Sequence, residues 1–220
     1  MLFRLIDKYF PPYARRLMLL SLLWNCCVYY GSRVLTAGRA HRDLTTAFDV
    51  AVPLIPWTVS VYFLAFVFWA VNFCLAGSGG EERCFRFFLT DYLARGISFV
   101  IFLVFPTGMA RIPVNEGGFW NSCMRLLYML DEPNVLFPSF HCLNSVMALL
   151  ALRGEKRVGK RYTVLSFFIA LSIFVSTLTT HQHVLADVLC GIVVPLLAYG
   201  LSGLKKLFPR YYALCDTVRR

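Results

Sequence analysis

Three side chains in the C-terminal half of the chain have types and spacing that could support catalysis. His183 and Asp187 stand four residues apart in the run STLTTHQHVLAD, 176–187, where a long apolar stretch begins. On a helix, residues at i and i+4 share a face, so the carboxylate of Asp187 can hold one ring nitrogen of His183 and leave the other free. A histidine held in one tautomer in this way is wired to act as a nucleophile or a base. The spacing alone is common in helices that do no chemistry. Its weight comes from His141, in the run PSFHCLNS, 138–145, which also stands at the mouth of an apolar segment.

A phosphate group suits such a set. Pro138 and Ser139 open a predicted helix, whose first amides lack intrahelical partners and carry the positive end of the helix dipole. Those amides can hold phosphoryl oxygens, with the Ser139 hydroxyl as a further donor, although Ser139 can equally serve as a plain N-cap. Arg111 offers a planar fork that matches phosphate bidentately, or an interfacial anchor. His183 can attack phosphorus in line while His141 protonates the departing oxygen; alternatively His141 caps its own helix end. No metal or cofactor is implied: His181 and His183, two residues apart, face different sides of a helix, and no Cys/His or carboxylate cluster has zinc-site spacing. The eight cysteines form no CxxC pair, and those in apolar runs read as small core residues.

The elements that must position these residues are membrane helices. Of 220 residues, 58% are hydrophobic and 15% charged, with a mean hydropathy of +0.62; a soluble domain has roughly 45–50% and about 25%. The apolar runs predict one all-α domain over 1–220, a polytopic bundle of six transmembrane helices at about 17–35, 52–76, 87–106, 138–152, 162–180 and 184–207. Residues 1–16, rich in aromatic and basic side chains, read as an interfacial segment in which Pro11 and Pro12 end any helix. Asp91 and Arg95 lie within the third span at i,i+4 and most simply neutralise each other. The 107–137 connection is long enough to form a lid or binding surface.

Six spans put both termini on one side. That side collects 16 Lys and Arg and the other 5, so the termini are expected in the cytoplasm and the histidines at the extracytoplasmic face. The net charge of +10 is then accounted for by loops facing anionic headgroups rather than nucleic acid. Short loops point to a plasma (inner) membrane.

With Pro138-Ser139-x-His141 and Ser176-x6-His183-x3-Asp187 in view, residues 87–200 resemble the type 2 phosphatidic acid phosphatase family of integral membrane lipid phosphatases. The resemblance implies a metal-independent lipid phosphate phosphatase working through a phosphohistidine, with His183 as nucleophile, Asp187 as its partner and His141 as acid. It departs from the family at Phe140, where the pattern has Gly, at Thr177, where it has Arg, and at Val104, where it has Lys; Arg111 with Pro113 nearby is the best match to the remaining Arg-Pro. His181, Arg125 or Arg95 would then supply phosphate-binding charge in place of the missing clamps. The related sphingomyelin and inositol phosphorylceramide synthases show a similar thinning, so a phospho-headgroup transferase is a second reading. A non-catalytic transporter whose charges line a pathway is a third. The expected partners are a phosphorylated lipid substrate and membrane lipids.

Overall fold

The computed structural model describes residues 10–216. Its order is α1 (Pro12–Thr36), α2 (Ala47–Ala51), a 3-10 turn (Pro56–Thr58), α3 (Val59–Gly77), α4 (Glu81–Val104), α5 (Phe119–Leu130), α6 (Phe140–Ala151), α7 (Lys160–Thr179), α8 (Leu185–Ser202) and α9 (Leu207–Leu214). No strand occurs among the described residues; two isolated bridges, Arg42 with Thr107 and Gly108 with Asn134, pin the loops at the histidine end.

Four helical segments are long and apolar enough to cross a membrane: Pro56–Gly77, Glu81–Val104, Lys160–Thr179 and Leu185–Ser202. Leu64, Phe66 and Val67 on α3, Leu165, Phe167 and Phe168 on α7, and Leu196 and Leu197 on α8 all point outward and exposed. An apolar belt of this kind needs lipid around it, and together with the four helices it marks a membrane protein. The other two expected spans differ in kind. α1 has 25 residues, about 37 Å at 1.5 Å per residue, but carries polar side chains along its length. α6 is apolar but has 12 residues, about 18 Å against a hydrocarbon core of about 30 Å.

Local sequence explains where the elements start. α1 begins at Pro12, whose missing amide costs nothing at a first helical position. Residues 12–16 therefore belong to α1, which Pro12 opens instead of ending a helix, residues 10 and 11 lead into it, and residues 1–9 of the expected interfacial segment lie outside the described residues. The second span starts at Pro56, as a 3-10 turn that runs into α3, rather than near 52, because Pro53 and Pro56 hold the residues before them extended. The 107–137 connection is not structureless: α5 packs Met124 and Leu127 against Val59 and Tyr62, which makes it an amphipathic flap over α3.

α6 is the hub. It packs on α3, α7 and α8, and seven of its twelve residues are buried, among them Leu143 and Met147. Gly191 sets the α6–α8 approach: a Cβ there would lie 2.6 Å from the Ser139 carbonyl oxygen and 2.9 Å from Cys142 Cβ. Only glycine lets the second turn of α8 lie against the first turn of α6. Beneath this contact, Arg95 bonds Asp91 (Nε to Oδ2, 2.9 Å), Asn144 (2.9 Å) and Asn25, and Ser21 donates to the same Asp91 oxygen at 2.7 Å. That buried network ties α1, α4 and α6.

Candidate active site

α7 ends at Thr179, and the chain reverses through His181, whose φ is +48°. The amides of Gln182 and His183 both donate to the Thr177 carbonyl, at 3.0 and 3.2 Å. Residues 180–184 thus form a tight corner, and α8 starts at Leu185. His183 consequently lies just before α8 rather than on one helix with Asp187. Asp187 sits in the first turn and folds back: its Oδ2 accepts from the Val184 amide at 3.1 Å and from His183 Nδ1 at 3.2 Å. The expected His–Asp contact therefore forms through helix capping, with the carboxylate also neutralising the N-terminal end of α8. Both side chains are buried, His183 at 8% exposure and Asp187 at 1%. With Nδ1 donating to the carboxylate, Nε2 is the free nitrogen of His183.

His141 comes from the first turn of α6. Its ring stacks on Tyr62 with centroids 3.8 Å apart and meets the edges of Trp69 and Phe66 at 5.0 and 5.8 Å. Trp69 is itself held by a bond from Nε1 to Ser145 Oγ, 3.0 Å, and Ser145 donates to the His141 carbonyl at 2.8 Å. The aromatic box aims the imidazole at its counterpart: the His141 and His183 ring centroids are 6.4 Å apart. His141 Nε2 is buried and has no hydrogen-bond partner among the described residues.

The other candidates are occupied by protein. Ser139 caps α6, its Oγ accepting from the Cys142 amide at 3.4 Å, and its own amide donates to the Asp187 carbonyl at 3.0 Å. It joins the starts of α6 and α8. Arg111 donates to the carbonyls of His181 (2.7 Å) and Asp131 (2.8 Å) and to Gln182 Oε1 (2.9 Å), and its guanidinium lies 4.5 Å from the Tyr128 ring centre. Here it is a pin for the 180–184 corner. His181 bonds the Val52 carbonyl through Nε2 at 3.0 Å, and burial pushes its pKa below the ordinary histidine value. Arg125 is placed apart, bonding Asn115 and Ser122 within its own segment. Arg95 is committed to the network below.

Several contributors went unread in the sequence. Tyr62, Phe66 and Trp69 recur at i, i+4 and i+7, the spacing of a single helix face, and so were open to being read as one aromatic wall. Asp49 accepts from the Leu185 amide at 2.7 Å and from Thr46. Burial works against its ionisation, but the Thr46 hydroxyl and the Leu185 and Thr46 amides outweigh it and hold the carboxyl below the usual range. Its Thr-x-x-Asp capping signature stands in the sequence at 46–49. The link to Leu185 is long-range and leaves no local trace.

Beside His183, on a side that His141 does not line, opens a cleft of about 290 Å³ walled by Asp43, Asp49, Met109, Leu178, His181 and His183. Its two carboxylates and two histidines make it acidic to neutral rather than cationic. No protein-family model matches this chain, and no curated protein or solved structure is detectably similar to it.

Proposed function

We propose that this chain is a membrane lipid phosphatase that hydrolyses a lipid phosphate ester or diphosphate through a phosphohistidine, as its two histidine motifs resemble those of type 2 phosphatidic acid phosphatases. The observation that carries the reading is His183 Nδ1 held by Asp187 at 3.2 Å with the His141 ring 6.4 Å away. Near-attack and proton-transfer distances are each about 3 Å, so rings this close can both reach one phosphate group lying beside them.

On this reading Nε2 of His183 attacks phosphorus. The bond to the lipid oxygen breaks as His141, which takes up a proton when the phosphate anion binds beside it, gives that proton to the departing oxygen. Asp187 balances the charge that the His183 ring acquires. Water then attacks the phosphohistidine, His141 takes its proton, and inorganic phosphate leaves with both rings restored. The amides of Phe140 and His141, at the positive end of α6, are the donors best suited to the phosphoryl oxygens. With α1 and α6 counted beside the four long apolar segments, the chain crosses six times, with both termini cytoplasmic and the histidines extracytoplasmic, as the 16-to-5 distribution of basic residues favours.

One observation favours a second reading, a phospho-headgroup transferase. Arg111 is bonded to protein on both Nη atoms, and the cleft beside His183 is rimmed by Asp43 and Asp49. Such a rim favours a singly charged phosphodiester with a cationic or hydroxyl-rich headgroup over a dianionic monoester. The acceptor of the phosphohistidine would then be a lipid hydroxyl instead of water.

The test is to assay the purified protein in detergent with phosphatidic acid for released phosphate, beside His183→Ala, His141→Ala and Asp187→Asn. Wild type releases phosphate, His183→Ala does not, and His141→Ala is slowed by about 10²–10⁴-fold. Headgroup appearing on an added lipid alcohol with little free phosphate selects the transferase. No turnover of any lipid phosphate, with solute flux into vesicles instead, rejects both in favour of a transporter.

A further inference from the structure

At the opposite end of the bundle a larger cleft, about 530 Å³, lies between the α3–α4 turn, the α6–α7 turn and the last turns of α8; Arg83, Arg86, Arg153, Tyr199, Phe87 and Leu150 are among its walls. Its three arginines are not equivalent. Arg83 is spent on Glu155, at 2.5 Å, and on the Ala151 carbonyl, while Glu155 also holds Arg157 at 2.6 Å. Arg86 and Arg153 form no ion pair among the described residues.

Both of these guanidinium groups instead rest on one ring, Arg86 at 4.9 Å and Arg153 at 5.1 Å from the Tyr199 centre. They are thus no more than about 10 Å apart, near enough for one anion between them to meet both charges. Arg86 Nε is buried and has no acceptor among the described residues. Two carboxylates line the same cleft without filling the role: Tyr212 donates to Glu81 at 2.8 Å, and Glu82, though four residues before Arg86, is exposed and makes no ion pair with it. A donor left unsatisfied in a walled cleft is costly.

We infer that this cleft is a second, non-catalytic binding site, in which Arg86 and Arg153 hold the phosphate of an anionic membrane lipid. Phosphate is the chemistry that two guanidinium forks match. The cleft is larger than one tetrahedral anion fills and falls in the range of small-molecule sites, about 300–1,000 Å³. Its Phe87 and Leu150 walls suit the glycerol and upper acyl carbons of a lipid, which inorganic phosphate lacks. The site is independent of the phosphatase reading and lies away from both histidines.

Native mass spectrometry of the full chain in neutral detergent tests it, with phosphatidylglycerol and phosphatidylcholine as probes. Wild type retains phosphatidylglycerol in preference to phosphatidylcholine. Arg86→Gln and Arg153→Gln each lose about tenfold in that affinity, the scale of one charge-assisted contact. Arg161→Gln and Lys206→Gln, basic positions outside the cleft walls, leave it unchanged, and Arg86→Lys controls for folding with an unaltered melting temperature and intermediate binding. Equal binding of the two lipids, or equal losses in the outlying variants, overturns the site in favour of diffuse surface charge. Inorganic phosphate that displaces the lipid and stabilises the protein as strongly by itself overturns the lipid assignment in favour of the free ion.

Discussion

His181 shows how a single side chain can be placed near a site for a reason other than chemistry. Its Nε2 donates to the Val52 carbonyl and its ring is buried, so the neutral form is favoured and its pKa lies below the ordinary value. A group whose folded pKa is depressed stabilises the fold above its unfolded pKa, about 6.5 for histidine, and loses that contribution as the pH falls through the folded value. The melting temperature in detergent should therefore decline as the pH is lowered below about 6.5, and His181→Asn, which keeps a neutral donor, should flatten that decline. An unchanged slope in the variant assigns the effect to another group. At this scale the sequence was informative about His141, His183 and Asp187, because residue type and four-residue spacing are local. It was uninformative about Arg111, whose three acceptors lie at residues 131, 181 and 182 and become neighbours only after the bundle closes.

The helices were legible in proportion to how apolar and how long they are. α3, α4, α7 and α8 follow from long, predominantly apolar runs, in α4 despite Asp91 and Arg95. α5 was hidden: Gly117 and Gly118, both at positive φ, read as loop, although Trp120, Met124, Leu127 and Tyr128 repeat at helical spacing just after them. The His183–Asp187 contact was read as two positions on one helix face because capping by Asp187 and a continued helix give the same four-residue signature. What no periodicity reveals is the closeness of α6 and α8, which rests on the missing side chain of Gly191. Gly191→Ala should force the second turn of α8 away from the start of α6, since its methyl would stand 2.6 Å from the Ser139 carbonyl oxygen. The expected destabilisation is about 1–3 kcal/mol, as for other overpacked contacts. Activity should fall far more than stability, because the His141 to His183 spacing is set by that contact. A variant with normal turnover and a lowered melting temperature would detach the contact from the site.

Along the whole molecule, polar chemistry is sorted into three levels: the paired histidines at one end, the Asp91–Arg95 network inside the bundle, and the arginine cleft at the other end. The middle level holds the outer two in register, since Arg95 reaches Asn144, three residues along α6 from His141, as well as Asn25 on α1. Arg95→Met leaves Asp91 buried without its partner and should cost about 3–5 kcal/mol, whereas Asp91→Leu with Arg95→Met should recover much of the loss, read as melting temperature and yield from membranes. The ends differ in charge as well as chemistry. The 153–161 turn carries five Lys and Arg, against one, Arg111, in the 107–118 loop beside the histidines, and basic loops stay on the cytoplasmic side. An alkaline phosphatase reporter, active only when exported, should therefore be active when fused after Gly117 and inactive when fused after Arg157. If α1 or the 18 Å-long α6 failed to cross, the two fusion points would change sides relative to the termini or to each other. Activity at both points, or at neither, would break the six-crossing topology, and the reversed pattern would put the histidines in the cytoplasm.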